Sequence, residues 1–483
     1  MLFKIALFTF VQAFFSTLIA FALGLSAAFF TANKKFFFRS FLLSFSSVPL
    51  CIPSLLVALG YVSFFGNSGF LNRFLIFLFD LKNPPVNFLY SFAGILICQG
   101  FYNFPLVMAS VSSAWEKLPA QQKEASLVLG QTPFKTFWKI TFFQLFPSIV
   151  SSLIQVFLYC FFSFMIVLLF GAVGTTTLEV EIYQRANVNL DFSGSLKFAL
   201  TETSIALIFI IFLSKIEQKN SVLKGYSFQN NEKSSFSPKE KLFALILFSL
   251  IILFFLSPLF SIAANAFSSK KLNSNFTFYN FVKLFKSLHF WNSVKWTFIV
   301  SSFTAFFCSV VGFLYCSFIK TFDLKEKLNF LKIIPLFPMA VSSVITGVLI
   351  TKFTKHSTVF VLITAQVFLT WPVAFRQILQ EFEKIEDSTL EAAKILSTKK
   401  RDLLFKIYFP LCKGGFFRGM GFCFALSAGD ATLPLTLAIR NFDTLSLYTY
   451  RLAGSYRFND ACASGVILGL LCMGVYNLSK KIK

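Results

Sequence analysis

Residues 99–105, Gln-Gly-Phe-Tyr-Asn-Phe-Pro, return 267 positions later as Gln-Val-Phe-Leu-Thr-Trp-Pro at 366–372. The same gapless offset aligns Glu124-Ala125 with Glu391-Ala392, Leu129 with Leu396, Lys139-Ile140 with Lys406-Ile407, Phe142 with Phe409, and Thr177-Leu178-x4-Tyr183 with Thr444-Leu445-x4-Tyr450. One register held over about eighty residues is an internal repeat, so the chain reads as two related halves.

Composition says what those halves are made of. Of 483 residues 56% are apolar or aromatic and only 13% charged; the mean hydropathy is +0.71, and 72 residues are Phe. Soluble domains carry about a quarter of charged residues, and disordered chains are poor in hydrophobic ones. An ordinary soluble enzyme and a disordered chain are both excluded, and the solvent for most of the chain is lipid. A spanning helix takes roughly 20 apolar residues. Apolar runs lie near 5–30, 40–65, 86–113, 146–170, 195–214, 242–262, 291–319, 329–352, 358–380, 414–438 and 457–478. The expected fold is therefore an all-α integral membrane protein with about 11 transmembrane helices, and no large soluble domain fits in the remainder.

The formal net charge of +23 belongs to topology rather than to nucleic acid, because Lys and Arg collect in cytoplasmic loops. Placing Lys34, Lys35 and Arg39 in the cytoplasm puts more than half of the 44 basic residues inside. The loop 263–290, with Lys270, Lys271, Lys283 and Lys286 and no acid, falls outside and runs against the rule. The run after Lys4 is too long for a signal peptide and is read as a first span. The nine cysteines lie in apolar stretches without a CxxC pair, and His289 and His356 are far apart, so no metal site is expected. The polar stretch 215–241 reads as a cytoplasmic linker. It separates a first half, 1–214, of about five spans from a second, 242–483, of about six. Six spans lie between the two Glu-Ala segments, so both sit on the same face and the repeat is parallel, unlike the inverted repeats of many secondary transporters.

Each half carries one polar loop on that face, 114–145 and 381–412. In the first, Pro119 is placed to begin a helix, Gly130 to cap it, and Thr132-Pro133 to open a second helix. In the other, Ser388-Thr389-Leu390-Glu391 is a capping box. Both loops offer small residues (Ala125, Ser126; Ala392, Ala393) beside an acid, with Leu129 and Leu396 further on. One such helix would be an ordinary capped surface helix; two at one register argue for a repeated partner.

These segments resemble a known family. Glu124-Ala125-Ser126-x3-Gly130-x9-Ile140 and Glu391-Ala392-Ala393-x3-Ser397-x9-Ile407-Tyr408-Phe409-Pro410 are similar to the EAA loop of ABC-importer permeases, E-A-A-x3-G-x9-I-x-L-P. Ser397 stands where that pattern has Gly, and Phe143 where it has Pro. The resemblance implies a fused, double-length permease of the type I importer, MetI-like fold in the bacterial inner membrane. It also implies that Glu124, Ala125, Ser126 and Gly130, and Glu391, Ala392, Ala393 and Ser397, form coupling helices docked on two copies of a cytoplasmic ABC ATPase. One periplasmic binding protein would deliver the substrate. The chain has no Gly-x4-Gly-Lys-Ser/Thr sequence, so no catalytic residue or cofactor of its own is expected, and ATP and Mg belong to the partner subunits.

A closer likeness, over most of the chain, is to permeases of thiamine ABC importers. It rests on Gly174-Thr-Thr-Thr-Leu-Glu-Val-Glu-Ile-Tyr-Gln184, Phe101-Tyr-Asn-Phe-Pro105, Ser427-Ala-Gly-Asp430 and Gly454-Ser-Tyr-Arg457. That likeness implies one N-terminal span more than the eleven read here. The implied cargo is thiamine or a thiamine phosphate; ferric iron or another small cation is the alternative, since ferric-iron permeases share the fused layout.

The segment 174–185 reads equally as helix or strand. With 441–451 it is external, and Thr177, Leu178, Tyr183, Thr444, Leu445 and Tyr450 are candidate contacts for the binding protein, or else simple lids. Asp430 interrupts an apolar run, where a charge costs about 2.5–3.5 kcal/mol on insertion scales. It is a candidate for the translocation path, with Ser163 at the equivalent position; the alternative is a structural pair with Arg418 or Lys295. Glu202 is a weaker candidate. An ion-coupled secondary transporter would need more mid-membrane charges than Asp430 and Glu202, and a membrane enzyme would need a cluster of His, Asp or Cys that the sequence lacks.

Overall fold

Runs of Phe, Leu, Ile and Val too long for any strand, without water to satisfy the backbone, fold as helices, because only a helix closes all its own hydrogen bonds in lipid. The computed structural model describes residues 1–44, 52–171, 176–221, 234–268, 276–321, 331, 334–354, 357–385 and 400–481. They form helices and no strand; an isolated bridge joins Lys34 to Ser234. Nine helices among the described residues are long and apolar enough to span a membrane, and a bent pair makes up to ten.

Two differences from the sequence count have physical causes. The run 329–352 is a short 3-10 helix, Ile334–Ala340, followed by a helix, Ser343–Phe353, bent 84° against it. Pro335 and Pro338 lie in the first piece, and Ser342 caps the second by accepting from Ile345 N–H at 3.2 Å. The run 414–438 is broken at Asp430. Its long part, Phe409–Gly429, carries Lys413 and Arg418 and five glycines, and is not among the nine.

The chain divides into two compact units that do not follow chain order. The first comprises 1–49, 57–181 and 204–261; the second comprises 50–56, 182–203 and 262–483. The span that precedes the repeated part of the second half thus packs, up to Ser261, with the first unit.

In the first unit, α1 (Leu2–Asn33) runs along α2 (Phe92–Trp115), and both touch α5 (Phe142–Phe161). Between α2 and α5 lie α3 (Ala120–Val128) and α4 (Pro133–Thr136), with a π-turn at Phe137–Thr141. After α5 come α6 (Phe164–Phe170) and α7 (Leu178–Tyr183, in this unit up to residue 181), then α8 (Phe192–Ser221, in this unit from residue 204) and α9 (Pro238–Ile251). The α1–α2 contact is close: a Cβ added at Gly24 would lie 2.6 Å from the Cβ of Val107. Small residues serve helix association in lipid in this way.

The second unit repeats the plan. α10 (Tyr279–Phe285) precedes α11 (Leu288–Thr321), α12 (Val359–Phe382), α13 (Phe409–Gly429), α14 (Thr432–Leu437), α15 (Leu445–Gly454) and α16 (Phe458–Lys481). α13 packs against α11, α12 and α16, which is why it tolerates its glycines: it faces protein. A Cβ at Gly419 would lie 3.1 Å from the Cα of Ala374 on α12. Arg418 on α13 is taken up by Glu381 of α12. The external lysines that broke the charge rule are partly answered too, since Lys283 of α10 donates to buried Asp460 at 2.6 Å, beside Arg457 at 2.8 Å.

The 267-residue repeat is structural: α2 and α12 correspond residue for residue, each with an internal proline (Pro105, Pro372), and α5 and α13 begin at equivalent positions after a π-turn.

Candidate coupling loop and polar interior

The loop that joins α2 to α5 is a helix–turn–helix. The helix starts at Ala120, one residue after the expected Pro119, which stands as the N-cap with φ −68° and ψ 124°. Gly130 has φ +81°, and around it Gly130 N–H bonds Leu127 C=O at 3.0 Å while Gln131 N–H bonds Ser126 C=O at 3.2 Å. That is the six-to-one and five-to-two pair of a left-handed helix end, a backbone that glycine adopts without penalty. Thr132 then caps α4 by accepting from Lys135 N–H, with Pro133 in the first turn.

This geometry sorts the candidate residues. Glu124 and Ala125 are exposed, as are Val128 at 86%, Leu129 at 82% and Phe134 at 73%. A polar helix end that holds three apolar side chains away from the protein has the form of a docking surface. Ser126 does not belong to it: it is buried, and its hydroxyl bonds Thr136 at 2.9 Å, tying α3 to the turn that follows. Its smallness serves the loop's own packing. Glu391, Ala392, Ala393, Ser397 and the Ser388 capping box lie outside the described residues.

The candidate binding-protein contacts are corrected. The segment 178–183 is helical, and Thr177, Leu178, Thr444 and Leu445 are all at most 1% exposed, so they present no surface; only Tyr183 and Tyr450 are half-buried. Leu178 N–H instead bonds Thr9 of α1 at 3.0 Å, and Leu445 N–H bonds Thr297 of α11 at 2.6 Å. Each threonine returns its own proton to the carbonyl four residues earlier, at 2.8 Å. The repeated Thr-Leu therefore marks a helix start pinned to a long helix of its own unit, α1 in the first and α11 in the second.

Asp430 and Ser163 sit at equivalent breaks and behave differently. The Asp430 carboxylate accepts from Thr432 N–H at 2.9 Å and Leu433 N–H at 3.3 Å, capping α14, with the Gln366 amide as a further partner. Arg418, one of its two candidate pairs, is committed to Glu381. Ser163 precedes α6 and makes no side-chain cap bond.

Just before each break lies a buried polar group. In the second unit Gln366 accepts from Ser427 at 2.6 Å and from Thr304 at 3.3 Å, and Ser427 meets Ser301 at 3.2 Å. In the first, Gln12 donates to Cys160 C=O at 3.0 Å and Asn103 donates to Gln99 C=O at 3.0 Å. There the Oε1 of Gln12, both amide atoms of Gln99, the Oδ1 of Asn103 and the Ser16 hydroxyl have no partner among the described residues. Glu202 is fully buried on α8. No group of three metal-ligating side chains occurs among the described residues.

Residues 20–221 and 325–479, well over half of the chain, match the family model of the binding-protein-dependent transport system inner membrane component. The chain belongs to that family. It is therefore a multi-pass inner-membrane permease of an ABC importer of the binding-protein-dependent type, and the secondary-transporter and membrane-enzyme readings are set aside. Among curated relatives, the family member from Brucella abortus called thiamine transport system permease protein is 26% identical over 99% of this chain and 88% of its own length. The protein of the same name from Haemophilus influenzae is 25% identical over 96% and 86%. Among solved structures, a bacterial alginate ABC transporter in complex with a periplasmic protein aligns over 50% of this chain and 92% of that one, at 18% identity and a TM-score of 0.42.

Proposed function

We propose that this permease admits thiamine or a thiamine phosphate, delivered by an external binding protein, in a cycle driven by two separate ATPase subunits. The observation that supports the cargo is end-to-end similarity to permeases named for thiamine transport, joined to the resemblance of Thr177-Leu-x4-Tyr183 and Ser427-Ala-Gly-Asp430 to that family. For the drive it is the exposed Glu124, Val128, Leu129 and Phe134 on a rigidly capped loop. ATP-driven closure of the ATPases would pull the two coupling loops together and switch the access of the path from one side to the other. Hydrolysis takes place on the partners, and the chain contributes the pore and the lever.

Asp430 is assigned to the path on two grounds. It stands at a helix break in the middle of an apolar run, and its carboxylate holds a helix end rather than an ion pair with Arg418. A carboxylate so placed suits a cationic cargo.

The test is binding-protein-stimulated ATP hydrolysis by the complex assembled from this chain, the ATPase and the binding protein, with and without thiamine. Stimulation that needs thiamine and is lost in the Glu124→Ala/Glu391→Ala double variant supports both parts of the proposal. Stimulation by a different ligand discards thiamine, and a chain that recruits no ATPase discards the coupling role.

A further inference from the structure

At one end of the first unit lies a cavity of about 460 Å3 that no step of transport uses. Its walls are Leu25, Phe29 and Phe30 of α1, Trp115 at the end of α2, Phe137 of the π-turn and Phe243 of α9. Among the described residues of the lining, charge occurs at one place, where Lys239 and Glu240 open α9, and Ser26 adds a hydroxyl. Glu240 is already engaged: it accepts from Lys34 at 2.7 Å and from Ser237 N–H at 2.7 Å, closing the capping box of α9. An anion at the mouth therefore meets Lys239 without an uncompensated carboxylate. Lys35 and Lys241 add to the basic surroundings in sequence.

The depth of the cavity follows from the same residues. α1 passes from apolar residues to Lys34 and Lys35 just beyond Phe30, and α2 ends at Trp115 before the coupling loop. Tryptophan at the boundary between a spanning helix and a basic loop is the mark of the lipid–water interface. The cavity thus lies at cytoplasmic headgroup level, with an apolar wall long enough to receive part of an acyl chain and a lysine where a phosphate would stand. Basic pockets at this level suit anionic headgroups.

We propose that this cavity is a binding site for one anionic phospholipid of the cytoplasmic leaflet, its acyl chain against Phe29, Phe30, Trp115 and Phe137 and its phosphate on Lys239. The lipid braces the end of α2 and the π-turn, the two points from which the coupling loop is hung, so the rate of coupled hydrolysis depends on leaflet charge. This rests on the cavity and its charges and is independent of the cargo.

The test uses the whole chain in nanodiscs and reads Trp115 fluorescence as wild type minus Trp115→Phe. The probes are phosphatidylglycerol and phosphatidylcholine brominated in the acyl chain. One lysine–phosphate contact corresponds to about a fivefold preference for the anionic lipid, so phosphatidylglycerol is expected to quench at roughly fivefold lower mole fraction. That preference is expected to shrink towards unity in Lys239→Ala, and quenching by either lipid to fall in the cavity-filling Ser26→Phe. Equal quenching of wild type by the two lipids would reduce the site to ordinary boundary lipid and overturn the proposal. So would a preference that survives Lys239→Ala unchanged. If Ser26→Phe fails to fold, the wild-type comparison of the two lipids still decides.

Discussion

The two units are built on one frame and filled differently. Thr9 and Thr297 perform the same act, holding the N–H of the first residue of a short helix against a long helix of its own unit. The break after α5 and the break after α13 fall at the same register, but Asp430 caps the helix beyond it and Ser163 does not. The buried polar groups beside those breaks differ too: Gln366, Ser427, Ser301 and Thr304 answer one another, whereas Gln99, Gln12 and Asn103 keep unanswered atoms among the described residues. Duplication kept what sets the frame. What diverged lies beside the helix breaks, in the buried polar groups and the cap.

The largest effect is expected where the halves are asked to do the same thing. Leu129→Asp changes a side chain 82% exposed, so folding is unaffected, but a charge at the centre of an apolar contact costs what a hot-spot residue costs, about 2 kcal/mol or roughly thirtyfold in affinity. Binding-protein-stimulated hydrolysis should fall by at least about tenfold in Leu129→Asp, and by a similar factor in Leu396→Asp. A large loss from one and none from the other would break the equivalence of the loops.

The polar groups give the next contrast. Gln366→Leu leaves the Ser427 and Thr304 hydroxyls without their acceptor and is expected to cost about 1–2 kcal/mol. Gln99→Leu removes an amide with no partner among the described residues and should leave the thermal midpoint of the detergent-solubilised chain unchanged or higher. If Gln99→Leu instead lowers the midpoint as much as Gln366→Leu, the two interiors are equally tied. If it spares stability and lowers uptake, the unanswered atoms face the cargo.

At the breaks the expected effects are smaller and separable. Asp430→Ala loses a cap and about 1 kcal/mol of stability, while Asp430→Asn keeps an acceptor for Thr432 and Leu433 and should retain stability. Thiamine uptake in the assembled complex is expected to fall several-fold in Asp430→Asn, and normal uptake would remove the charge from the path. Ser163→Asp tests the converse by giving the first half the cap it lacks.

The frame was legible in the sequence for a stated reason: a gapless offset aligns α2, α5, α6 and α7 with α12, α13, α14 and α15. The turn at Gly130-Gln131-Thr132-Pro133 was legible because glycine, threonine and proline each have a local backbone consequence. The breaks at Ser163 and Asp430 were not. Lipid requires apolar residues on both sides of a break, so the run 146–170 shows no punctuation. Thr9 and Thr297 escaped because they are 288 residues apart, not 267, and a search at one offset cannot pair them. The Thr-Leu repeat was visible but its meaning stayed open, since a pattern shared by two halves marks a pinned core position as readily as a shared partner.

The smallest effect concerns how each half starts its last helix. In the second, Asp460 is buried between Lys283 and Arg457. In the first, Asp191 stands just before α8, its carboxylate accepting from Gly194 N–H at 2.9 Å and the Ser193 hydroxyl at 3.1 Å, with Arg185 at 3.3 Å. The Gly194 N–H first, then the Ser193 hydroxyl, hold it below the usual carboxylate value, against a smaller opposing pull from burial, and Arg185 adds to the lowering. A depressed value means that the folded state prefers the ionised form. Its contribution is complete above the unfolded value, near about 3.9, and is lost as pH falls through the lower folded value. The stability difference between wild type and Asp191→Asn should therefore be constant from about pH 8 to 5 and shrink only below about pH 4. It should also be modest, because the group is exposed. A difference that instead fades between pH 7 and 5 would mean that Asp191 is held by something other than these three donors.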